Sequence, residues 1–301
     1  MTKRAKILVI VGPNASGKSD YAVRIAKKIN GEIISADSRQ VYKGLDIGSC
    51  KITKKEMRSI PHHCLDIADP KKVFTAEDFQ RCAGKAIEDI LSRGKTPIIV
   101  GGTGFYIDAA LGRIKLGGVP PNYELRKKLK KKSAEELLKI LKKIDPARAR
   151  TVEQKNPRRL IKAIEIATIC KMSQTKFRSQ FDLNLVWDKK ADIIWLGIKR
   201  SPEELKKRIH KRLLKRLPGI ISEVKKLRRG GLSWKRLFEL GLEYRYTSLY
   251  LHGKLSKKEF TDQLETAIWH YAKRQMTWFK KNKEIRWIQK KGLWPPVLKR
   301  Y

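Results

Sequence analysis

The chain has 301 residues, 41% of them hydrophobic, which is enough for a sizeable core and excludes a disordered polypeptide. Seventy Lys and Arg against 30 Asp and Glu give a net charge of +40, far beyond what solubility needs, and point to a polyanionic partner such as a nucleic acid. The cysteines Cys50, Cys64, Cys82 and Cys170 form no C-x-x-C pair, which argues against zinc and fits a reduced, cytoplasmic protein, and no apolar run approaches the roughly 18 residues of a membrane span.

AKILVIV (5–11) is a continuous apolar run, as expected of a buried parallel strand. GPNASGKS (12–19) follows, with the spacing G-x-x-x-x-G-K-[ST] of a phosphate-cradling loop. Tyr21, Ile25 and Ile29 then recur at helical spacing over 20–30, with Gly31 expected to end the helix. GEIISAD (31–37) reads as a second buried strand ending in Asp37. Thr75-Ala-Glu-Asp78 opens a helix to about Arg93, and KTPIIVGGTG (95–104) is a third strand with a glycine turn. Strands alternating with helices predict a doubly wound sheet, whose ligands sit at the carboxyl ends of the strands. Gly12, Asp37 and Gly101 all fall there.

Pro120-Pro121 marks a break, after which 122–190 is helical in pattern and very basic. Ser133-Ala-Glu-Glu136 reads as a capping box, and NPRRLIKAIEIATI (156–169) is amphipathic. ADIIWLGI (191–198) resumes the sheet. Ser201-Pro202-Glu203 caps a helix expected over 201–217, the remainder is mostly helix, and IRWI (285–288) adds an edge strand. The fold class is therefore α/β: a P-loop NTPase-like parallel sheet core (1–114 and 191–301) with a helical insertion (115–190) and a helical C-terminal part.

The glycines of the loop let backbone N–H groups turn toward phosphate oxygens, Lys18 can reach a diphosphate, and Ser19 can ligate Mg²⁺. Asp37, at a strand end, can serve as the acid that holds Mg²⁺ in a phosphoryl-transfer enzyme. Leu205, Ile209 and Leu213 form an apolar stripe, and Arg208, Arg212 and Arg216 form a parallel basic one. By itself that basic stripe reads as a solvated face. His62 and His63 are adjacent, so in an extended segment they point oppositely and do not share one metal. Trp278 and Phe279 read as core. A kinase on this core, a non-enzymatic RNA-binding protein with a vestigial loop, and a transferase acting on a diphosphate all use these parts.

In order, GPNASGKS, ISADSRQVYKGLDIGS (34–49), PHHCLDI (61–67), IIVGGTGFY (98–106), NPRRLIKAIEI (156–166), LKKRIHKRL (205–213) and AKRQMTWF (272–279) closely resemble the tRNA dimethylallyltransferase family. The resemblance implies a P-loop kinase-like core that binds no ATP and holds the diphosphate of dimethylallyl diphosphate instead. It implies transfer of the dimethylallyl group to N6 of the adenosine 3′ of the anticodon, in tRNAs reading codons that begin with U. It places the diphosphate on Gly12, Asn14, Ala15, Ser16, Gly17, Lys18 and Ser19, with Mg²⁺ on Ser19. Asp37 matches the family's base, and Arg212 its pyrophosphate-contacting arginine, with Arg208 as the alternate. tRNA contacts fall on Asp37, Ser38, Arg39, Gln40 and Thr103, and on Arg126, Arg158, Arg159 and Lys162 of the insertion. Gln40 is the residue expected to recognise the flipped adenosine, since reaching N6 requires extrusion of the base. A monomer is implied. The pattern departs at Glu243, where the family commonly has glycine, and at Trp269, where it often has arginine. A relative prenylating free AMP or ATP is a further alternative, against which the basic insertion argues.

Overall fold

The computed structural model describes residues 4–114, 116, 122–172 and 186–288. The chain divides into two compact units, Met1–Ile114 with Leu185–Tyr301, and Lys115–Asn184. Pro120 and Pro121, and 173–185 of the stretch expected to be helical, lie outside the described residues.

The first unit begins with β1 (Ala5–Val11), α1 (Lys18–Lys28), β2 (Gly31–Ala36), α2 (Lys54–Met57), β3 (His62–His63), α3 (Ala76–Ser92), β4 (Thr96–Gly101) and α4 (Gly104–Ala110). The second unit is helical: α5 (Tyr123–Leu129), α6 (Ala134–Ile144), α7 (Pro146–Thr151) and α8 (Pro157–Met172). The first unit then resumes with α9 (Trp187–Lys190), β5 (Ala191–Ile198), α10 (Pro202–Arg229), α11 (Trp234–Leu240), α12 (Leu242–Leu251), α13 (Lys257–Phe279) and β6 (Arg286–Ile288).

The six strands form one parallel sheet in the order β3-β2-β4-β1-β5-β6. Side chains alternate across it. Ile7, Val9 and Val11 pack with Phe79, Ile87 and Tyr106 on one face, and Leu8 and Ile10 pack with Tyr21 and Ile25 on the other. Val11 and Ala36 both stand opposite Gly101, so β1, β2 and β4 end level and their following loops leave from one edge. At the other end of β2, buried Glu32 is held by Arg93, Lys95 and His63. Hydrogen bonds from Arg93 lead in keeping its carboxyl well below the usual carboxylate range, against the effect of burial.

Three local expectations are revised. Helix α1 ends at Lys28, and the left-handed residue after it is Asn30 (φ 49°), while Gly31 already begins β2. Helix α10 does not stop at 217 but runs through Pro218 to Arg229. An interior proline costs about 3 kcal/mol. Beyond the expected end, Ile220 and Val224 are fully buried, each contributing roughly 1.5–3 kcal/mol, which is enough to offset it. The sheet unit also takes in 186–190, which the sequence reading gave to the insertion. Buried Trp187 and the bond from Arg113 Nε to Asp188 Oδ1 (2.7 Å) attach α9 to the sheet unit. The capping box at Ser133 and the Ser201 cap form as the sequence predicts, and the helix expected from Thr75 opens on a capping box of its own.

Within the second unit, Leu137, Leu141, Leu160 and Ile164 make a core of their own. Fully buried Glu165 accepts two bonds from Arg126 (2.8 and 2.7 Å), one from Lys162 (3.0 Å) and one from the Asn122 N–H (2.6 Å). Among the described residues no helix is long and apolar enough to cross a membrane.

Candidate active site

The loop after β1, the segment after β2 and the turn after β4 surround a cleft of about 680 Å³ in the first unit. Asn14, Ala15, Gly17, Lys18 and Ser19 line it, with Asp37, Ser38, Arg39 and Gln40 from the second strand end and Gly101 from the third. Helix α10 adds Arg208 and Arg212, and the wall opposite is Gly48, Ser49 and Cys50. Gly12 and Ser16 belong to the loop but lie buried behind it and do not line the cleft. Thr103 stands just outside it, accepting the Ser38 N–H at 3.3 Å.

Each charged group has a defined state. Lys18 leans on the Pro13 carbonyl at 3.4 Å. Burial lowers its ammonium to about 8, with Asp37 opposing the shift and Arg212 adding to it. Asp37 spends one oxygen on a local turn: Oδ1 accepts the N–H of Arg39 (2.8 Å) and of Gln40 (3.4 Å). Its Oδ2 has no hydrogen-bond partner among the described residues, and Asp37 lines the cleft. A carboxylate fixed by one oxygen and open at the other is suited to accept a proton.

The three arginines of α10 divide their work. Arg208 Nε donates to the Ala15 carbonyl at 2.7 Å, so it braces the phosphate loop. Arg216 Nε donates to the Ile47 carbonyl at 2.9 Å and its Nη2 to that of Gly48 at 2.8 Å. Arg212, one turn from each, has no hydrogen bond or ion pair among the described residues and faces the cleft. The basic stripe is therefore not a uniformly solvated face: its two outer members grip backbone, and the middle one is left to meet an anion.

Three placements go beyond the sequence reading. Gln40 does not present a free amide. Its Oε1 accepts from Ser35 Oγ (3.1 Å), and its Nε2 donates to the carbonyls of Ser49 (3.3 Å) and Cys50 (3.2 Å). Gln275 of α13, buried, accepts the Asn14 N–H at 2.8 Å and donates to the Gly102 carbonyl at 2.9 Å, which locks the loops after β1 and β4 together. This contact requires glycine at 102, because a Cβ there would stand 2.3 Å from Gln275 Nε2. Trp278, expected in the core, is 39% exposed, and its indole N–H donates to Asp108 at 3.1 Å, while Phe279 is buried as expected.

The two departures have structural roles. Glu243 lines the cleft, where burial pushes its carboxyl up against the opposing charge of Arg216. Trp269 carries the ammonium of Lys206 over its ring at 5.1 Å, so a cation still occupies this part of the surface. Arg126, Arg158, Arg159 and Lys162 lie in the second unit. Arg126 and Lys162 bond Glu165 there, Arg159 is paired with Glu153 at 3.0 Å, and all four stand on helices α5 and α8. The two histidines point apart as expected: His62 Nδ1 meets the Ile60 carbonyl (2.8 Å) and His63 Nε2 meets Glu32 (2.8 Å).

Ser19 stands exposed in the first turn of α1 on the cleft side, with a hydroxyl that can ligate a hard cation. Among the described residues, no group of three or more His, Cys, Asp or Glu could hold a metal ion.

The sequence profile described as IPP transferase matches residues 40–282. The tRNA dimethylallyltransferase 2 of Treponema denticola is 43% identical over 291 residues, covering 94% of this chain and 95% of that protein. The tRNA dimethylallyltransferase of Pelotomaculum thermopropionicum is 39% identical over 291 residues, covering 95% and 91%. Among solved structures, the tRNA Δ2-isopentenylpyrophosphate transferase of Staphylococcus epidermidis superposes with a TM-score of 0.70 at 33% identity, covering 99% of this chain and 100% of that one. A eukaryotic dimethylallyltransferase acting on tRNA superposes with a TM-score of 0.78 at 27% identity, covering 95% and 74%. With a profile spanning most of its length and relatives of this identity along nearly all of it, the chain belongs to the IPP transferase family.

Proposed function

We propose that this chain transfers a dimethylallyl group from dimethylallyl diphosphate to N6 of the adenosine 3′-adjacent to the anticodon, in tRNAs reading codons that begin with U, and releases pyrophosphate. The observation that carries this reading is the meeting of Lys18, Ser19, Asp37 and Arg212 in one cleft, with Asp37 open at one oxygen and Arg212 without a protein partner.

The N6 lone pair attacks C1 of the prenyl chain, and the C1–O bond breaks with its electrons leaving on pyrophosphate. The amine is a poor nucleophile because its lone pair is delocalised into the ring, so the proton it sheds needs an acceptor. Asp37 Oδ2 takes that proton. Lys18, Arg212 and the backbone N–H groups of the loop neutralise the charge growing on the leaving group. Ser19 would hold Mg²⁺ against the same diphosphate, where the ion supplies further positive charge. The phosphate loop therefore grips a leaving group rather than a phosphoryl group in transfer. The net charge of +40 supports a tRNA acceptor, since a free mononucleotide needs no such field. Phosphate contacts from Arg126, Arg158, Arg159 and Lys162 would position the stem-loop without reading its bases. The reading includes a monomer in a reduced, cytoplasmic setting.

The test is nucleoside mass analysis of an anticodon stem-loop after incubation with dimethylallyl diphosphate, Mg²⁺ and the protein. The expected product is adenosine carrying one added prenyl group at N6. Prenylation of AMP as efficient as that of the stem-loop would refute the acceptor assignment, and tight ATP binding without response to dimethylallyl diphosphate would refute the donor.

A further inference from the structure

Glu223 lies in the second half of α10, away from the reacting groups, and is 8% exposed. Its carboxylate collects four donors. Oε2 accepts the N–H of Asp46 at 2.8 Å and of Ile47 at 2.6 Å. Oε1 accepts the N–H of Gly48 at 3.0 Å and the phenol O–H of Tyr244 at 3.0 Å. An ionised carboxylate has about four lone-pair sites, so this one is saturated. Three consecutive backbone N–H groups converging on one buried charge is anion recognition turned inward, with the loop as guest.

The carbonyls of the same loop are held as well. Arg216, two helical turns earlier on α10, takes the carbonyls of Ile47 and Gly48. Gln40 takes the carbonyls of Ser49 and Cys50. Donors and acceptors of Asp46–Cys50 are thus both committed, and Gly48, Ser49 and Cys50 form the cleft wall facing Lys18, Asp37 and Arg212. The fit leaves no slack at Gly48, where a Cβ would stand 2.6 Å from Tyr244 Cζ and 3.1 Å from Glu223 Oε1.

Resting on the donor assignment made above, we infer that Glu223 is a positioning residue for the prenyl donor: it sets the distance between the Gly48–Cys50 wall and the phosphate loop, and so shapes the space for the prenyl chain. It touches no substrate. Its action runs through the loop backbone, and it shares a helix with Arg212, so wall and leaving-group cation are registered by one element.

The test compares Glu223→Gln, Glu223→Asp and Gly48→Ala with the wild type in steady-state prenylation of an anticodon stem-loop. Glutamine offers one acceptor oxygen and turns an NH₂ toward backbone N–H groups, so the clamp opens. The expected result for Glu223→Gln is a KM for dimethylallyl diphosphate raised about tenfold or more with the stem-loop KM within about twofold of wild type, corresponding to loss of one to two hydrogen bonds. Glu223→Asp, which keeps the charge, recovers part of that loss. Gly48→Ala, whose Cβ crowds Tyr244 and Glu223 Oε1 while leaving the carboxylate's charge in place, reproduces the rise in donor KM and serves where Glu223→Gln folds poorly. An unchanged donor KM in folded Glu223→Gln overturns the inference, as does an equal fall in activity toward both substrates that tracks lost folded protein. Failure of the wild type itself to prenylate the stem-loop would instead refute the proposed function.

Discussion

Asp37→Asn isolates proton acceptance from architecture. The asparagine Oδ1 can keep both turn bonds, to the N–H of Arg39 at 2.8 Å and of Gln40 at 3.4 Å. Only the open Oδ2 is lost, replaced by an NH₂ that cannot accept a proton. A positioned general base contributes about 10²–10⁴ in rate, or roughly 2.7–5.4 kcal/mol of barrier. Stability is expected to fall by about 1 kcal/mol or less, because each turn bond is worth roughly that and both remain. One secondary effect follows from the charge lost: Asp37 supports the protonated form of Lys18, so its neutralisation moves the Lys18 ammonium further down. The assay is single-turnover prenylation of an anticodon stem-loop at saturating donor, quenched and read by nucleoside analysis, beside thermal melts and stem-loop binding. The expected outcome is a rate lower by two to four decades with melting and binding nearly unchanged. A rate within tenfold of wild type would remove Asp37 as the base. So would an equal loss in Asp37→Asn and Asp37→Ala accompanied by matched destabilisation, since that would place its role in the turn.

Arg212→Ala removes a cation that makes no hydrogen bond or ion pair among the described residues, so kcat/KM for the donor should fall roughly 10- to 150-fold, the worth of one charge-assisted contact, and a defect confined to stem-loop binding would contradict the assignment. For Lys18 the sign follows from its lowered ammonium: charge is lost as pH rises through about 8, so kcat/KM for the donor should fall there, and a profile flat through that pH would refute the role. Glu32 has a folded carboxyl held below its unfolded value, so its contribution to stability is present above about pH 4.3 and is lost as pH falls toward the lower folded value. Glu32→Gln should therefore cost roughly 1–3 kcal/mol at neutral pH in urea melts and flatten the acid limb, and an unchanged acid limb would refute the clamp.

What was legible in the sequence was local. The apolar run 5–11, the glycine loop and the helix after it are decided within one stretch of chain, and each strand-end residue follows from where an apolar run stops. The basic stripe was legible because it runs parallel to a buried one at the same spacing, but it was the family resemblance that singled out Arg212 within it. The rest depends on partners far away in sequence. Glu223 binds a loop more than 170 residues upstream, at separations of 175 to 177. One signal did exist: Glu223 is an acid in the middle of a basic helix, three residues after buried Ile220 and next to buried Val224, where a charged side chain needs partners. Gln40 shows the opposite limit. Its position at the site was legible, but the commitment of both ends of its amide to Ser35, Ser49 and Cys50 was not, because that depends on how the loop after it returns. The helix expected to end at 217 runs on through Pro218, because Ile220 and Val224 continue its buried side and packing prevails over local propensity.

The span of α10 explains how this site can be ready before the chemistry begins. At 1.5 Å per residue, Arg208 and Arg216 are about 12 Å apart along the helix axis, and Glu223 lies about 10 Å further on. Arg208 is bonded to the phosphate loop, while Arg216 and Glu223 are bonded to the opposite wall, so the helix spans the cleft as a strut. Its hydrophobic side, Leu205 through Ile220, is packed against Phe260, Leu264 and Ile268 of α13, which resists rotation about its own axis. With its neighbours on the basic stripe already bonded, Arg212 does not have to give up a protein partner to meet an arriving diphosphate. Charge stabilisation that requires no reorganisation at the moment of bond breaking is the most effective kind available to a protein. Binding of the leaving group and definition of the prenyl wall therefore depend on one rigid element, and a substitution that loosens either end of α10 should weaken the donor site before it affects the acceptor.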